Sequence, residues 1–453
     1  MASRAADDDQ RDRVVNSSSD SLLQLLFDAQ NGGRLFGSSV KPDLPLNLAP
    51  PITNLFSVLP SRIRVPHTVK LPHPQAARIL FEDQFTYIGT IFAFTDRVGF
   101  EQLLVDVYSR PLDVFDPASC LAHAKFLVTM AFGQLYSINQ QVGGGGLPGF
   151  EYFSAAVQLL PEMHEQPSIR YVETLCLIGY FMQNLQHRAA AFFYVGLAVR
   201  MAISLGLHEN PPGGDAALTE AEEEEREHRR RVWWSVYSMD RILTVKSGNP
   251  LMIHDEDISV AMPSRLPSEP DYCPAVVLAH YTQLSRILGD IARHIYSPRL
   301  SSSTGRLQAA MHDIVGALQR WRRAIPAELE FDPSRLSNSR ESVSTLLHFY
   351  QCVNMTVRPF VYTLVQHRLR GSLEDRARDW RDGLSEMTQG IVVLCVDAAR
   401  DTIHMMTVAN RQRLVGETHP LFFFCPDNIR YSDKNMAQQT TATWTRSTPS
   451  QRR

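Results

Sequence analysis

Six cysteines are the first candidates for metal chemistry in this 453-residue chain. Cys120, Cys176, Cys273, Cys352, Cys395 and Cys425 stand no closer than 30 residues apart. A structural zinc site aims two thiolates at one ion from a single turn, which needs a C-x₂₋₄-C spacing. No such pair occurs, so most of the cysteines, which sit in apolar helical sequence, read as small core residues. His208 has no second ligand near it in sequence, and a place at a helix C-cap predicts that it hydrogen-bonds the last carbonyls there. Asp255-Glu256-Asp257 is a carboxylate cluster, but an EF-hand loop needs alternating acids, Gly at position six and Glu at twelve. Asp257 is expected to cap or order a loop instead. Gly144-x-Gly146-x-x-Gly149 matches the dinucleotide fingerprint by letter, yet it follows helical sequence and contains Pro148, where the fingerprint needs a strand before it. No P-loop with Lys-Ser/Thr, no H-E-x-x-H and no G-x-S-x-G occurs. No convergent titratable set is visible, which argues against an enzyme.

Composition sets the frame for these residues. The hydrophobic fraction of 44% is that of a globular protein with a sizeable core. A net charge of −3 gives the whole molecule no field that attracts nucleic acid, so DNA contact would need a local basic module. No uninterrupted apolar stretch is long enough to span a membrane, and Leu22–Phe27 is too short for a signal-peptide core. The expectation is an intracellular protein with reduced cysteines and no membrane partner.

The periodicity is helical. Ile79, Leu80, Phe85 and Ile88 fall near i, i+3, i+4 spacing, and Leu121, Ala124, Leu127, Val128 and Ala131 form a buried stripe. Ile169–Gln186 and Ala189–Leu205 read as an antiparallel pair. In the second helix Ala190, Phe193, Tyr194, Leu197, Ala198 and Met201 are expected on one face, with Gly196, Ala198 and Ala202 allowing close contact. The central stretch runs from Glu222 to Pro263. Thr219 with Glu222 forms a capping box, and Glu222–Arg226, Glu225–Arg229 and Glu227–Arg231 are i,i+4 pairs. Apolar residues then cover every side from Val232 to Leu243, so this half should be buried. Asp240 in that interior needs a partner, expected to be an arginine. Ser247-Gly248-Asn249-Pro250 stops the helix.

These residues carry a resemblance. Arg230-Arg231-Val-Trp233-Trp234, then Asp240-Arg241, Gly248-Asn-Pro250, Asp255-Glu256-Asp257 and Pro263 resemble the regulatory domain of fungal zinc-cluster transcription factors of the xylanolytic-activator type. Gly196-Leu-Ala-Val-Arg200-Met-Ala-Ile-Ser-Leu-Gly206-Leu207-His208 is similar to that family's GLAxRxAxxLGLH run. Trp321 through Pro326, Arg358-Pro359-Phe360 and Cys395–Arg400 echo later family positions. The resemblance implies an all-α, multi-helix globular regulatory domain, with helix pairs packed around a central buried helix. It implies structural roles for Gly196, Arg200, Gly206, Leu207, His208, Arg230, Arg231, Trp233, Trp234, Asp240, Arg241, Gly248, Pro250, Asp257 and Pro263, and no catalytic, metal or DNA-binding residue among them. It also implies nuclear action, control of RNA polymerase II transcription, contact with transcription machinery or a dimer partner, and a possible small-molecule effector between the helices. The family's six-cysteine zinc cluster is not in these residues, so zinc and direct DNA contact are expected only in a longer relative that carries it.

Three segments follow. Residues 1–75, rich in Pro and Ser, read as a disordered linker in which Ser21–Gln30 could form one short amphipathic helix. Residues 76–424 read as the regulatory domain. Residues 425–453 read as a disordered tail, and the apolar run Leu421–Phe424 stops where a buried helix should continue. That break suggests an incomplete or altered version of a longer family member. Other readings are an all-α interaction scaffold, a corepressor-like partner, or an all-α enzyme using the same interior.

Overall fold

A computed structural model describes residues 69–137, 147–161, 167–210, 219–296, 304–335, 338–370, 379, 381–382 and 386–414. The expectations for Ser21–Gln30, Gly144, Gly146, Leu421–Phe424, Cys425 and both terminal segments beyond these bounds lie outside the described residues.

Several helices start where the sequence supplies a cap. α1, Pro74–Gln84, has proline in its first turn, and the His73 ring accepts the Gln75 amide. It runs on as a π-helical turn, Phe85–Gly89. Asp96 caps α2, Arg97–Ser109, by accepting the Gly99 amide at 2.6 Å. Asp116 caps α3, Pro117–Tyr136, by accepting the amides of Ala118 and Ser119. α4 is Phe150–Gln158. Its N-cap is Gly149, and a Cβ there would stand 2.1 Å from the Ala131 carbonyl of α3. The third glycine of the fingerprint-like run is therefore a packing residue. α5, Ile169–Asn184, and α6, Arg188–Ser204, form the expected hairpin. α7, Glu220–Ser247, is the central helix. α8 (Pro274–His294), α9 (Thr304–Ala324), α10 (Arg340–Arg370) and α11 (Glu386–Arg411) complete the order. α10 continues through Pro359, where propensity alone would end it.

No strand occurs among the described residues, and the fold is all-α. Packing runs as a chain of neighbours: α1 and α4 on α3, α3 on α5, α5 on α6, α6 on α7, α7 on α8, α8 on α9 and α10, α10 on α11. One continuous core joins them, from Ala77 to Ala409. α7 lies mid-chain in this stack. Its second half, Val232–Val245, is buried on every side, as the polarity switch predicts.

Two faces differ from the periodic reading. Ile79 is 65% exposed, and α1 instead buries Ala77, Phe81 and Gln84. In α6, Phe193 is 61% exposed, and the buried positions are Ala190, Ala191, Val195, Gly196, Ala198, Val199, Met201 and Ala202, so Ala190, Ala198 and Met201 of the expected face are buried and Phe193 is not. α6 is held between α5 and α7, and a helix with neighbours on two sides puts its small residues in the seams. The tight crossing comes from Gly179 on α5, where a Cβ would stand 2.7 Å from Val195. Gly196 is buried, but a Cβ there would meet only the Arg200 guanidinium at 3.5 Å.

Candidate functional site

The segment after α7 turns back and runs antiparallel along that helix as a strap. Gly248, at φ 67°, closes α7, and the Asn249 amide donates to Thr244 O at 3.0 Å. Pro250 follows on the exposed turn. Arg241 then donates to Ile253 O at 2.6 Å and to Asp255 Oδ1 at 3.0 Å. The Tyr237 hydroxyl donates to the same Asp255 oxygen at 2.8 Å. Trp234 Nε1 donates to Ala261 O at 2.7 Å. Arg230 reaches Ser264 Oγ, and Arg231 holds Ser264 O at 2.8 Å and grips Glu269 with both terminal nitrogens, at 2.7 and 2.6 Å. The buried Glu227 accepts the Ser264 amide at 2.8 Å and pairs with both arginines. Residues 227, 230/231, 234, 237 and 241 recur every three or four positions, so one face of one helix carries the whole ladder. Pro263, within the strap, is buried.

The residues implied to be structural are thus not all brought together. Arg230, Arg231, Trp234 and Arg241 bind the strap directly. Trp233 is fully buried and tilts against the His208 ring, with centroids 5.6 Å apart. Leu207 is buried beside Gly206, which closes α6 at φ 67°. Arg200 is exposed on α6 and reaches Met252 of the strap at 4.0 Å.

Three assignments change. His208 does not cap α6 through its ring. Arg229 takes that place, donating to Leu205 O at 3.1 Å, while the His208 carbonyl accepts the Ser259 and Val260 amides. The reason is reach: α7 lies across the end of α6, and its long arginine covers the carbonyl. Asp257 is exposed and orders nothing through its side chain among the described residues; Asp255 does so. Of the three i,i+4 pairs on α7, only Glu227–Arg231 forms among the described residues. Glu222 closes the capping box and Arg229 serves α6.

Asp240 meets an arginine, but loosely, with Arg241 Nη1 at 3.7 Å and the Thr244 hydroxyl at 3.3 Å. Burial pushes its pKa up to about 6, against the pull of Arg241 and Thr244. Asp255 goes the other way. Burial alone would raise it, but the Tyr237 hydroxyl, Arg241 and Arg286 together hold it below the usual carboxylate range. Arg241 is fully buried and lies over the Tyr237 ring, 4.4 Å from its centroid.

A second feature was missed in the sequence. A cavity of about 750 Å³ opens between the start of α2, the first half of α7 and the end of the strap. Lys125 of α3, Glu173 of α5 and His228 of α7 line it. Glu173 is buried and bridges the other two, with Lys125 Nζ at 2.6 Å and His228 Nε2 at 3.3 Å. Burial opposes the charge on Glu173, but the Lys125 charge and the His228 contact lower its pKa overall. Burial likewise opposes protonation of His228, and the Glu173 bond and charge raise its pKa on balance. The signal was present: Lys125 is the one Lys, Arg, Asp or Glu of α3, Glu173 is the one acid of α5, both sit among mostly apolar residues, and buried charges need partners. Among the described residues, no group of three or more His, Cys, Asp or Glu side chains is placed to hold a metal ion.

Residues 115–323, from the turn before α3 to the end of α9, match the model of the fungal specific transcription factor domain. The chain is similar to the ABC-transporter-regulating transcription factor of Aspergillus oryzae, 26% identical over 74% of this chain and 38% of that protein. It is also similar to the thiamine repressible genes regulatory protein thi1 of Schizosaccharomyces pombe, 26% identical over 62% of this chain and 35% of that protein. The uncharacterized transcriptional regulatory protein C3C7.04 of the same yeast is 24% identical over 56% of this chain and 32% of its own length. The chain spans about a third of the length of these curated relatives. No solved structure matches it.

Proposed function

We propose that this chain acts in the nucleus as the regulatory domain of a zinc-cluster-type transcription factor and adjusts RNA polymerase II transcription. The observation that carries this is the fungal specific transcription factor domain at 115–323, containing the strap whose anchors are Arg230, Arg231, Trp234 and Arg241. We extend the domain to 76–424, because α1, α2, α10 and α11 share the core of the matched part. Fourteen of the fifteen implied positions, Asp257 excepted, hold the helices and strap in place rather than reacting with anything. DNA is reached through a zinc cluster outside these residues, in a longer chain or a dimer partner, and zinc belongs to that module. The domain meets transcription machinery through its surface and changes its hold on that partner when a small effector enters between its helices.

The test is a tethering assay. The full chain is fused to a heterologous DNA-binding domain and a reporter is read in a fungal cell. Activation or repression of at least a few fold, lost with Arg231→Ala at equal protein level, is expected. A fusion that is nuclear, stable and without effect on the reporter overturns the reading.

A further inference from the structure

The cavity beside α7 has two chemically different parts. Phe85, Ile91, Phe92, Ala275 and Leu278 give it an apolar wall, while Lys125, Glu173 and His228 give it a charged floor. The Lys125 ammonium is buried and donates to Glu173 Oε2; no other acceptor engages it among the described residues. An ammonium has three N–H donors, and a buried donor without an acceptor is costly. Glu173 has one oxygen on Lys125 and the other toward His228. With His228 protonated, the floor therefore holds two cations and one anion.

The other charges around the cavity are committed or outside. Arg97 pairs with Glu82, Arg170 with Asp106, and Arg231 with Glu227 and Glu269. Asp96 caps α2 and its charge acts on His228. Glu224 and Glu225 are exposed on the cavity's α7 side. Open hydrogen-bonding capacity in the interior thus belongs to Lys125. The surrounding acids disfavour a second negative charge on anything that enters.

We propose that this cavity binds a small apolar molecule bearing a single carboxylate, with the carboxylate on Lys125 beside His228 and the body against Phe85, Phe92 and Leu278. The regulatory reading above gives this binding its biological consequence, while the binding itself stands on the geometry alone.

Octanoate, 1-octanol and octylamine share one tail and differ in head group. Titration calorimetry with the full chain should rank octanoate tightest and octylamine weakest. The double variant Lys125→Met, Glu173→Gln removes both charges together, so that no lone charge stays buried. It should bind octanoate roughly tenfold more weakly, the worth of one charge-assisted hydrogen bond, and 1-octanol as before. Val98→Trp, at an exposed position on the cavity wall, should weaken octanoate and 1-octanol alike by filling the space. If the double variant fails to fold, the head-group ranking and Val98→Trp decide. Equal affinity for octanoate and 1-octanol, or no octanoate binding by a folded chain, overturns the site. A silent tethered reporter overturns the regulatory function without touching the calorimetry, so the two ideas fail separately.

Discussion

Arg241→Met removes the innermost anchor of the strap and keeps most of the side-chain volume. The wild-type guanidinium is fully buried, holds Ile253 O and Asp255, and covers the Tyr237 ring. Asp255 keeps Arg286 and the Tyr237 hydroxyl after the change, but its buried partner is gone. Asp240 keeps only Thr244 of its close contacts. Breaking one side of a buried ion pair costs about 3–5 kcal/mol, because the remaining charge is left uncompensated. The cushion from Arg286 places this case at the lower end, about 3 kcal/mol. Urea unfolding followed by tryptophan fluorescence measures it, since Trp233 and Trp234 lie on the same helix. Asp255→Asn in the Arg241→Met background should cost clearly less than it does alone, because the pair is already broken. A loss below about 1 kcal/mol, or strictly additive costs in the double-mutant cycle, would show that the strap is not held by this arginine.

Four further outcomes follow from the same contacts. Trp233→Ala, at a fully buried site, should cost about 3–5 kcal/mol, whereas Trp234→Phe, which loses the hydrogen bond to the exposed Ala261, should cost about 1 kcal/mol; chemical denaturation separates them. Gly289→Ala places a Cβ 3.2 Å from the pinned Arg241 Nε and should destabilise by about 1–3 kcal/mol, while Gly390→Ala, with open space around it, should stabilise α11 by about 0.5–1 kcal/mol; thermal melts give both signs. Asp240, raised to about 6 from an ordinary 3.8, favours the protonated fold, so its contribution is full below pH 3.8 and is lost as pH rises through 6. Asp240→Asn should therefore gain on wild type by about 2 kcal/mol between pH 4 and pH 7, and parallel stability curves across that range would refute the raised pKa. These 453 residues should bind DNA only weakly and without sequence preference, and nanomolar sequence-dependent retention in a gel shift at physiological salt would reveal a reader that the helices conceal.

The helices, their caps and the central buried half of α7 were legible in the sequence because each rests on local information. A capping box, a glycine stop and a switch from charged to apolar residues act within a few positions of themselves. The resemblance carried by Arg230 through Pro263 pointed to the domain that residues 115–323 match. What those residues hold was not legible. Sequence spacing offered Arg226 and Arg229 as partners for the glutamates of α7, yet Arg229 serves the end of α6 and Glu227 serves the strap. It also offered Asp240 an arginine, and the arginine found Asp255 closer. Charged side chains are long and pair with whatever the fold brings near, so their partners are settled by approach in three dimensions. The same reason hid the cavity floor: Lys125 and Glu173 lie 48 positions apart, and His228 is further still along the chain. The sequence by itself determined an all-helical domain and the helix at its centre. Only the packing of α3, α5 and α7 decided that Lys125, Glu173 and His228 would meet, because burying a charge alone costs more than burying it with its partner.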